Sequence, residues 1–164
     1  MLNRILQIIA GLILSISCNT LLEEELPIIK DSPSFKLIDQ NNFIYTDQEF
    51  LGKITVLDFM FTTCMGPCPI MSNNMRSLYE EYRENKRVQF VSITVDPQND
   101  SQETLKDYSE SQGVDDFRWK FLTGDINNIK SISQDGFLLF ADNLPVGHSI
   151  KFILIDSKKR IRKY

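Results

Sequence analysis

The segment FTTCMGPCPIM, residues 61–71, decides how the rest of the chain is read. It holds Cys64 and Cys68, two of the three cysteines in the chain, with three residues between them and a proline directly after the second. Upstream, KITVLDFMF (53–61) is a nearly continuous apolar run rich in β formers, the pattern of a strand buried on both faces. Downstream, Met71, Met75, Leu78 and Tyr82 recur at i, i+4, i+7 and i+11, one face of a helix. The cysteines therefore sit where a buried strand hands over to a helix. If the helix starts within the loop, both sulfurs lie on one face of its first turn. Free N–H groups and partial positive charge there favour thiolate. Pro67 and Pro69 suit a first turn, which needs no N–H partner, and they stiffen the loop. The methionines, at helical spacing, read as core rather than as copper ligands.

Two cysteines four residues apart close a tiny loop, so a structural staple is a poor explanation of the pair. Redox or metal chemistry is a better one. Cys64 as nucleophile with Cys68 as resolver would serve thiol–disulfide exchange. As metal ligands, thiolates are soft donors that prefer Cu(I), Zn(II) or iron–sulfur clusters. Structural zinc and iron–sulfur centres want about four ligands. Two thiolates and one imidazole suit Cu(I), which accepts low coordination numbers. The chain has a single histidine, His148, in LPVGHSIKFILID, just before the apolar run 150–156.

Around this pair the remaining elements fall into order. SFKLID, QNN and FIYT (34–46) read as a hairpin with polar turn residues. VQFVSITVD (88–96) is a second buried strand. Asp100 with Glu103 reads as a capping box opening the helix SQETLKDYSESQ (101–112), which Gly113 ends. RWKFLTG (118–124) is a short strand or loop. DINNIKSIS (125–133) is a short helix with Ile126 and Ile129 inward. IKFILID (150–156) is a third strand, SKKR turns, and IRKY begins a fourth. The strand–helix–strand unit predicts parallel pairing with a right-handed crossover, and the last two strands should be antiparallel. This α/β order resembles the thioredoxin fold with an N-terminal hairpin. In thioredoxin-like enzymes the loop entering the third main strand faces the cysteines and carries a cis-proline; His148 lies in that neighbourhood.

The chain has 164 residues, enough for one domain with a real core. Lys+Arg 18 against Asp+Glu 22 gives −4, which argues against nucleic acid. The basic run KKRIRK (158–163) reads as a solvated turn and edge strand. At the N-terminus, ILQIIAGLILSIS (5–17) is shorter than the roughly 20 residues of a spanning helix and fits a signal peptide. Cys18 follows directly, as in bacterial lipoprotein signals, where that sulfur carries the lipid. The expected organisation is a signal at 1–17, a lipidated Cys18 with an acidic, proline-containing tether to 33, and a thioredoxin-like domain at 34–164. Export would place Cys64 and Cys68 where disulfides persist.

The chain resembles the Sco/SenC family of copper-binding assembly proteins for cytochrome c oxidase. The matching segments run in order over roughly residues 33–157: FTTCMGPCPIMS, VSITVDPQNDSQETLKDY, FLTGD and GHSIKFILID. The resemblance implies Cu(I) bound by Cys64, Cys68 and His148, with Cu(II) left open, and a Cys64–Cys68 disulfide when oxidised. It places Asp96 beside the site, where a carboxylate would orient the histidine or draw in a cation. It implies an exported protein held by lipid on the periplasmic face of a bacterial membrane. The partner would be the copper-site subunit of cytochrome c oxidase or another periplasmic copper protein. The expected role is a metallochaperone rather than a turnover enzyme. The alternative is a thiol–disulfide oxidoreductase using Cys64 and Cys68. A peroxidase-like enzyme of the same fold ranks low, since no clear supporting arginine and threonine constellation stands near the cysteines, and a lipoprotein binding module with an inert disulfide is the plainest reading. The family commonly has an acidic residue before the histidine, where this chain has Gly147, and a last helix over the sheet beyond the position of Tyr164.

Overall fold

The computed structural model describes residues 25–164. The apolar run 5–17, Cys18 and the first part of the tether lie outside the described residues. Thirteen elements follow in order, of which eight are strands: β1 Lys30–Asp31, β2 Lys36–Asp39, β3 Ile44–Thr46, β4 Ile54–Met60, β5 Val88–Thr94, β6 Trp119–Thr123, β7 Ile153–Ile155 and β8 Arg160–Lys163. The α-helices are α1 Cys68–Glu81, α2 Gln102–Ser111 and α3 Ile126–Ser131, the last running on into one π turn at Ile132–Gly136. A 3-10 turn spans Asp47–Phe50.

The strands form one sheet in the order β1-β8-β7-β4-β5-β6-β2-β3. β4, β5 and β6 are parallel, in register from Ile54↔Val88 to Met60↔Thr94 and from Phe90↔Trp119 to Ile93↔Leu122. β7 returns antiparallel against β4, and β8 antiparallel against β7. The parallel strands need helical crossovers, and α1 and α2 supply them. All seven residues of β5 are buried, as expected for a strand covered on both faces.

Period-two alternation divides the apolar residues between two cores. On one face Leu57, Phe59, Val91, Ile93 and Leu122 pack with Ile129 of α3 and Phe137. On the other, Met60, Phe90, Trp119 and Phe121 pack with Met75 and Tyr79 of α1 and Leu105 of α2. Each large apolar side chain so buried contributes about 1.5–3 kcal/mol.

Several expectations shift in detail. The buried face of α1 runs Met71, Met75, Tyr79, while Tyr82 is exposed beyond the helix end, because packing against Phe90 and Trp119 selects Tyr79. The N-cap of α2 is Ser101, whose Oγ accepts from Thr104 N–H, so Asp100 and Glu103 form no capping box. Residues 118–124 hold a full parallel strand, β6. The third main strand begins at Ile153, later than Ile150. Lys30–Asp31, assigned to the tether, pair with Arg160 and Ile161, which makes β8 an inner strand rather than an edge.

Candidate metal centre

β4 ends at Met60 and α1 begins at Cys68, so residues 61–67 are loop. Cys68 therefore opens the helix with Pro67 as its N-cap, whereas Cys64 precedes it and does not share its first turn. The helix takes its first bonds from Pro67, whose carbonyl accepts from Ile70 and Met71 N–H at 3.1 Å each. The loop is tied down from below by Asp100, which is fully buried. Its carboxylate accepts from Thr62 N–H at 3.1 Å and from the hydroxyls of Thr62 and Thr94. Composition alone offered no sign of this clasp, since Thr62 and Asp100 lie 38 residues apart.

Both cysteines are free, and their environments differ sharply. Cys68 is 2% exposed, whereas Cys64 is half-buried. Burial, the hydrogen bond to Cys64, and the charges of Cys64 and Asp58 push the Cys68 thiol up to about 12, against a donation from Phe61 N–H. For Cys64, partial burial opposes ionisation. Hydrogen bonds from the Cys68 thiol and from the N–H groups of Cys68 and Gly66 outweigh it, and its pKa falls below the ordinary thiol value. Cys64 is thus the more readily ionised sulfur of the pair, and Cys68 holds its proton more firmly.

His148 comes in from the loop that precedes β7. A single bridge to Ala141 holds its backbone, and Ser149 N–H donates to Phe140 O at 2.9 Å. Its Nε2 stands 4.0 Å from Cys68 Sγ. Its Nδ1 lies 3.1 Å from Ser149 O, a geometry that assigns the proton to Nδ1 and leaves the Nε2 lone pair toward sulfur. Phe61 meets the imidazole edge-on, with ring centroids 5.8 Å apart. Burial lowers the His148 pKa, partly offset by the Ser149 carbonyl, so the ring is neutral at pH 7.

Among the described residues no three His, Cys, Asp or Glu side chains form a ready-made metal cage. The pair Cys68 and His148 nevertheless has the right span. Thiolate and imidazole bonds of about 2.3 and 2.0 Å reach at most about 4.3 Å when collinear, so 4.0 Å accommodates a shared ion at a bent angle. Cys64, hydrogen-bonded to Cys68, is the third donor at hand.

Asp96 is buried, and its carboxylate accepts from Asn99 Nδ2 at 2.8 Å. The imidazole Nδ1 faces Ser149 O, and no hydrogen bond joins Asp96 to His148. Gly147 has a structural reason. Its N–H donates to Asn143 O at 2.6 Å, and a Cβ there would stand 3.0 Å from Asn143 N and 3.1 Å from Asn143 Cβ and O. A side chain at 147 would have to open that turn. Beneath the sulfurs lies an acid unremarked in the apolar run 53–61. Asp58 is 1% exposed and accepts from Ser92 Oγ at 2.6 Å, which in turn accepts from Trp119 Nε1 at 3.0 Å. Burial raises its pKa from 3.8 to about 7, despite the Ser92 hydrogen bond.

This arrangement can be set beside known proteins. The SCO1/SenC family profile matches residues 28–164. The chain belongs to the SCO1/SenC family. A SCO2-like protein of Rickettsia prowazekii is 33% identical over 147 residues, covering 83% of this chain and 69% of that protein. Among solved structures, a SCO1/SenC family lipoprotein from Bacillus anthracis str. Ames superposes with a TM-score of 0.75 at 35% identity, over 82% of this chain and 83% of that one. Bradyrhizobium japonicum ScoI with copper bound gives 0.69 at 26% identity, over 81% and 87%. The SCO1/SenC fold is thioredoxin-like, and the parallel β4–β5–β6 core with antiparallel β7 and β8 is that fold here. Among the described residues of this SCO1/SenC chain, no helix is long and apolar enough to cross a membrane.

Proposed function

We propose that the chain is an exported, membrane-anchored carrier of Cu(I) that helps assemble the dinuclear copper centre of cytochrome c oxidase. Its ligands are Cys64, Cys68 and His148. The observation that carries this reading is the 4.0 Å approach of His148 Nε2 to Cys68 Sγ beside a second sulfur. The donors are soft and few, which suits Cu(I). Cys64 is already biased to thiolate, and Cys68 must give up its proton when the ion binds, so loading releases protons. Neutral His148 needs no deprotonation at Nε2. The copper held by Bradyrhizobium japonicum ScoI supports this assignment for the present chain. Lipidation at Cys18 would hold the domain on the periplasmic face of the membrane, a reading supported by the lipoprotein relative from Bacillus anthracis.

A Cu(I) competition titration on the reduced full chain tests the reading. One copper per chain is expected, with binding lost in Cys64→Ser/Cys68→Ser. His148→Ala should weaken it by more than the roughly 10–100-fold that losing an outer hydrogen-bond partner of a ligand costs. Wild-type affinity no higher than that of the double cysteine variant would refute it. A second reading, thiol–disulfide exchange, is favoured by the opposite pKa shifts of Cys64 and Cys68. It differs from the first in that it survives His148→Ala.

A further inference from the structure

The cysteine loop leaves the C-terminal end of β4, and a second cluster gathers at the opposite pole of the same sheet. There the N-terminal ends of β4, β5 and β6 lie side by side, because Ile54 pairs with Val88 and Phe90 with Trp119. Lys53 comes just before β4, Lys86 just before β5 and Arg118 just before β6. Parallel register thus brings three cations from distant parts of the chain to one edge. They line a cleft of about 310 Å³ together with Gln89, Asp116 and Phe117. Among the described residues that line it only Asp116 is acidic, which leaves a surplus of two positive charges.

Arg118 is built into this cleft. Its side chain is only 8% exposed. Nε donates to Asp116 Oδ2 at 2.7 Å, Nη1 donates to Tyr82 O at 3.0 Å, and the guanidinium lies 4.7 Å from the centre of the Tyr79 ring. Those contacts fix the plane of the fork. They leave Nη2, which is buried and donates to no group among the described residues. A buried N–H without an acceptor is a costly state that a ligand oxygen would relieve. Lys53 has given one of its three N–H donors to Gln89 Oε1, at 3.1 Å. Lys86 is 74% exposed, and its Nζ stands 4.0 Å from Asp116 Oδ2, against 2.7 Å for Arg118 Nε. Asp116 is therefore matched mainly by Arg118, and both ammoniums keep donors for a guest. Phe117, 83% exposed, adds an apolar surface to the lining.

Two surplus charges and donors from three side chains match a phosphate group, which brings three oxygens and a charge of about −1.5 to −2. A carboxylate has two oxygens and a single charge, so it would leave part of the donor set unmet. Guanidinium and ammonium groups are also the side chains that hold phosphate best. The volume lies at the lower end of the roughly 300–1,000 Å³ of small-ligand sites. That is room for a phosphate with a few attached carbons, and Phe117 suits the carbons. We infer that this cleft binds a phosphate monoester, its oxygens held by Arg118, Lys53 and Lys86. The site lies at the far pole from Cys64, Cys68 and His148 and stands apart from the copper reading. A soluble phosphate ester and a phospholipid headgroup share this chemistry, and the two arms of the test separate them.

The test is a calorimetric titration of the reduced full chain in neutral detergent micelles at constant ionic strength. One arm adds glycerol 3-phosphate, and the other adds phosphatidic acid dissolved in the micelles. Saturable binding of the first probe identifies a soluble ester, and binding confined to the second identifies a headgroup; either supports the inference. The probe that binds should do so about tenfold or more tightly than its carboxylate counterpart, acetate or oleate. Lys53→Gln/Lys86→Gln should weaken binding by about tenfold or more, whereas Lys151→Gln/Lys163→Gln, in a different cleft, should leave it unchanged. The lysines are chosen because Arg118→Gln would also cut the contacts to Tyr82 and Asp116 that support the fold. Lys86→Gln alone, at an exposed position, should already weaken binding measurably. No binding in either arm would overturn the inference. So would binding no tighter than that of the carboxylate, or equal losses in the two double variants.

Discussion

The cysteine loop, residues 61–67, and the histidine loop, residues 142–152, face each other across the sulfurs, but the first is tied into the core and the second lies over it. Asp100 holds Thr62 from a fully buried position, and Cys68 begins a helix whose inner face is core. The histidine loop has mainly its own short bonds, Gly147 N–H to Asn143 O and Ser149 N–H to Phe140 O, with Val146 83% and Ile150 54% exposed. Segments with few buried contacts open at low free energy. The sulfurs are thus pre-positioned, and the imidazole is the donor most easily withdrawn. The proposed carrier role would need that asymmetry, because a carrier must both hold its cargo and release it.

The largest effect expected on this contrast lies beneath the cysteine loop, at Asp58. Its pKa is raised from 3.8 to about 7, so the folded chain holds a proton there that the unfolded chain has lost. The stabilisation is full below about pH 4 and disappears as pH rises through about 7. At about 1.4 kcal/mol per unit it amounts to roughly 4 kcal/mol as an upper value. Asp58→Asn should flatten that part of the pH profile in urea unfolding between pH 4 and 8. Parallel profiles for wild type and variant would show that Asp58 is ionised throughout.

Next comes the clasp itself. Asp100→Ala leaves Thr62 and Thr94 without their buried acceptor and should cost about 3 kcal/mol in urea unfolding at pH 7. A loss as small as that of a surface substitution would erase the distinction between the two loops.

The two sulfurs offer a finer test. Followed by thiolate ultraviolet absorbance, Cys64 should ionise below the ordinary thiol value of 9.0 and Cys68 only near 12. Cys64→Ala should bring Cys68 down, since it removes a hydrogen bond and a charge that oppose ionisation. Two sulfurs titrating together would contradict the assignment.

The smallest effect belongs to the other loop. His148→Ala should change unfolding stability by no more than about 0.5 kcal/mol at pH 7, even as it weakens copper binding on the proposed reading. Its pKa is lowered by burial, so the neutral ring is the form the fold accommodates. Acidification through the ordinary histidine value of 6.5 should therefore destabilise wild type more than His148→Ala. A stability loss matching that of Asp100→Ala would mean that the imidazole is structural.

Much of this was legible along the chain. Apolar runs located β4 and β5, helical spacing located α1, and a proline-flanked cysteine pair with one histidine marked the site. Those signals are local, because burial on two faces or one stripe is written in the order of neighbouring residues. What escaped was long-range. Tyr79 rather than Tyr82 faces inward because Phe90 and Trp119 wait there. Lys30–Asp31 is a strand only because β8 lies beside it. Asp100 looked like a helix cap, yet its partner is a threonine on another loop, 38 residues away.

By itself, then, the sequence determined the strand–helix–strand frame and the residue types that can hold a soft metal ion, since periodicity and donor chemistry belong to the residues themselves. The tertiary structure alone decided which cysteine ionises more readily and which carbonyl turns His148. It also decided that an aspartate is buried under the sulfurs and that three cations meet at the far pole of the sheet. Those outcomes depend on dielectric and distance, and both are set by segments that meet only when the chain is folded.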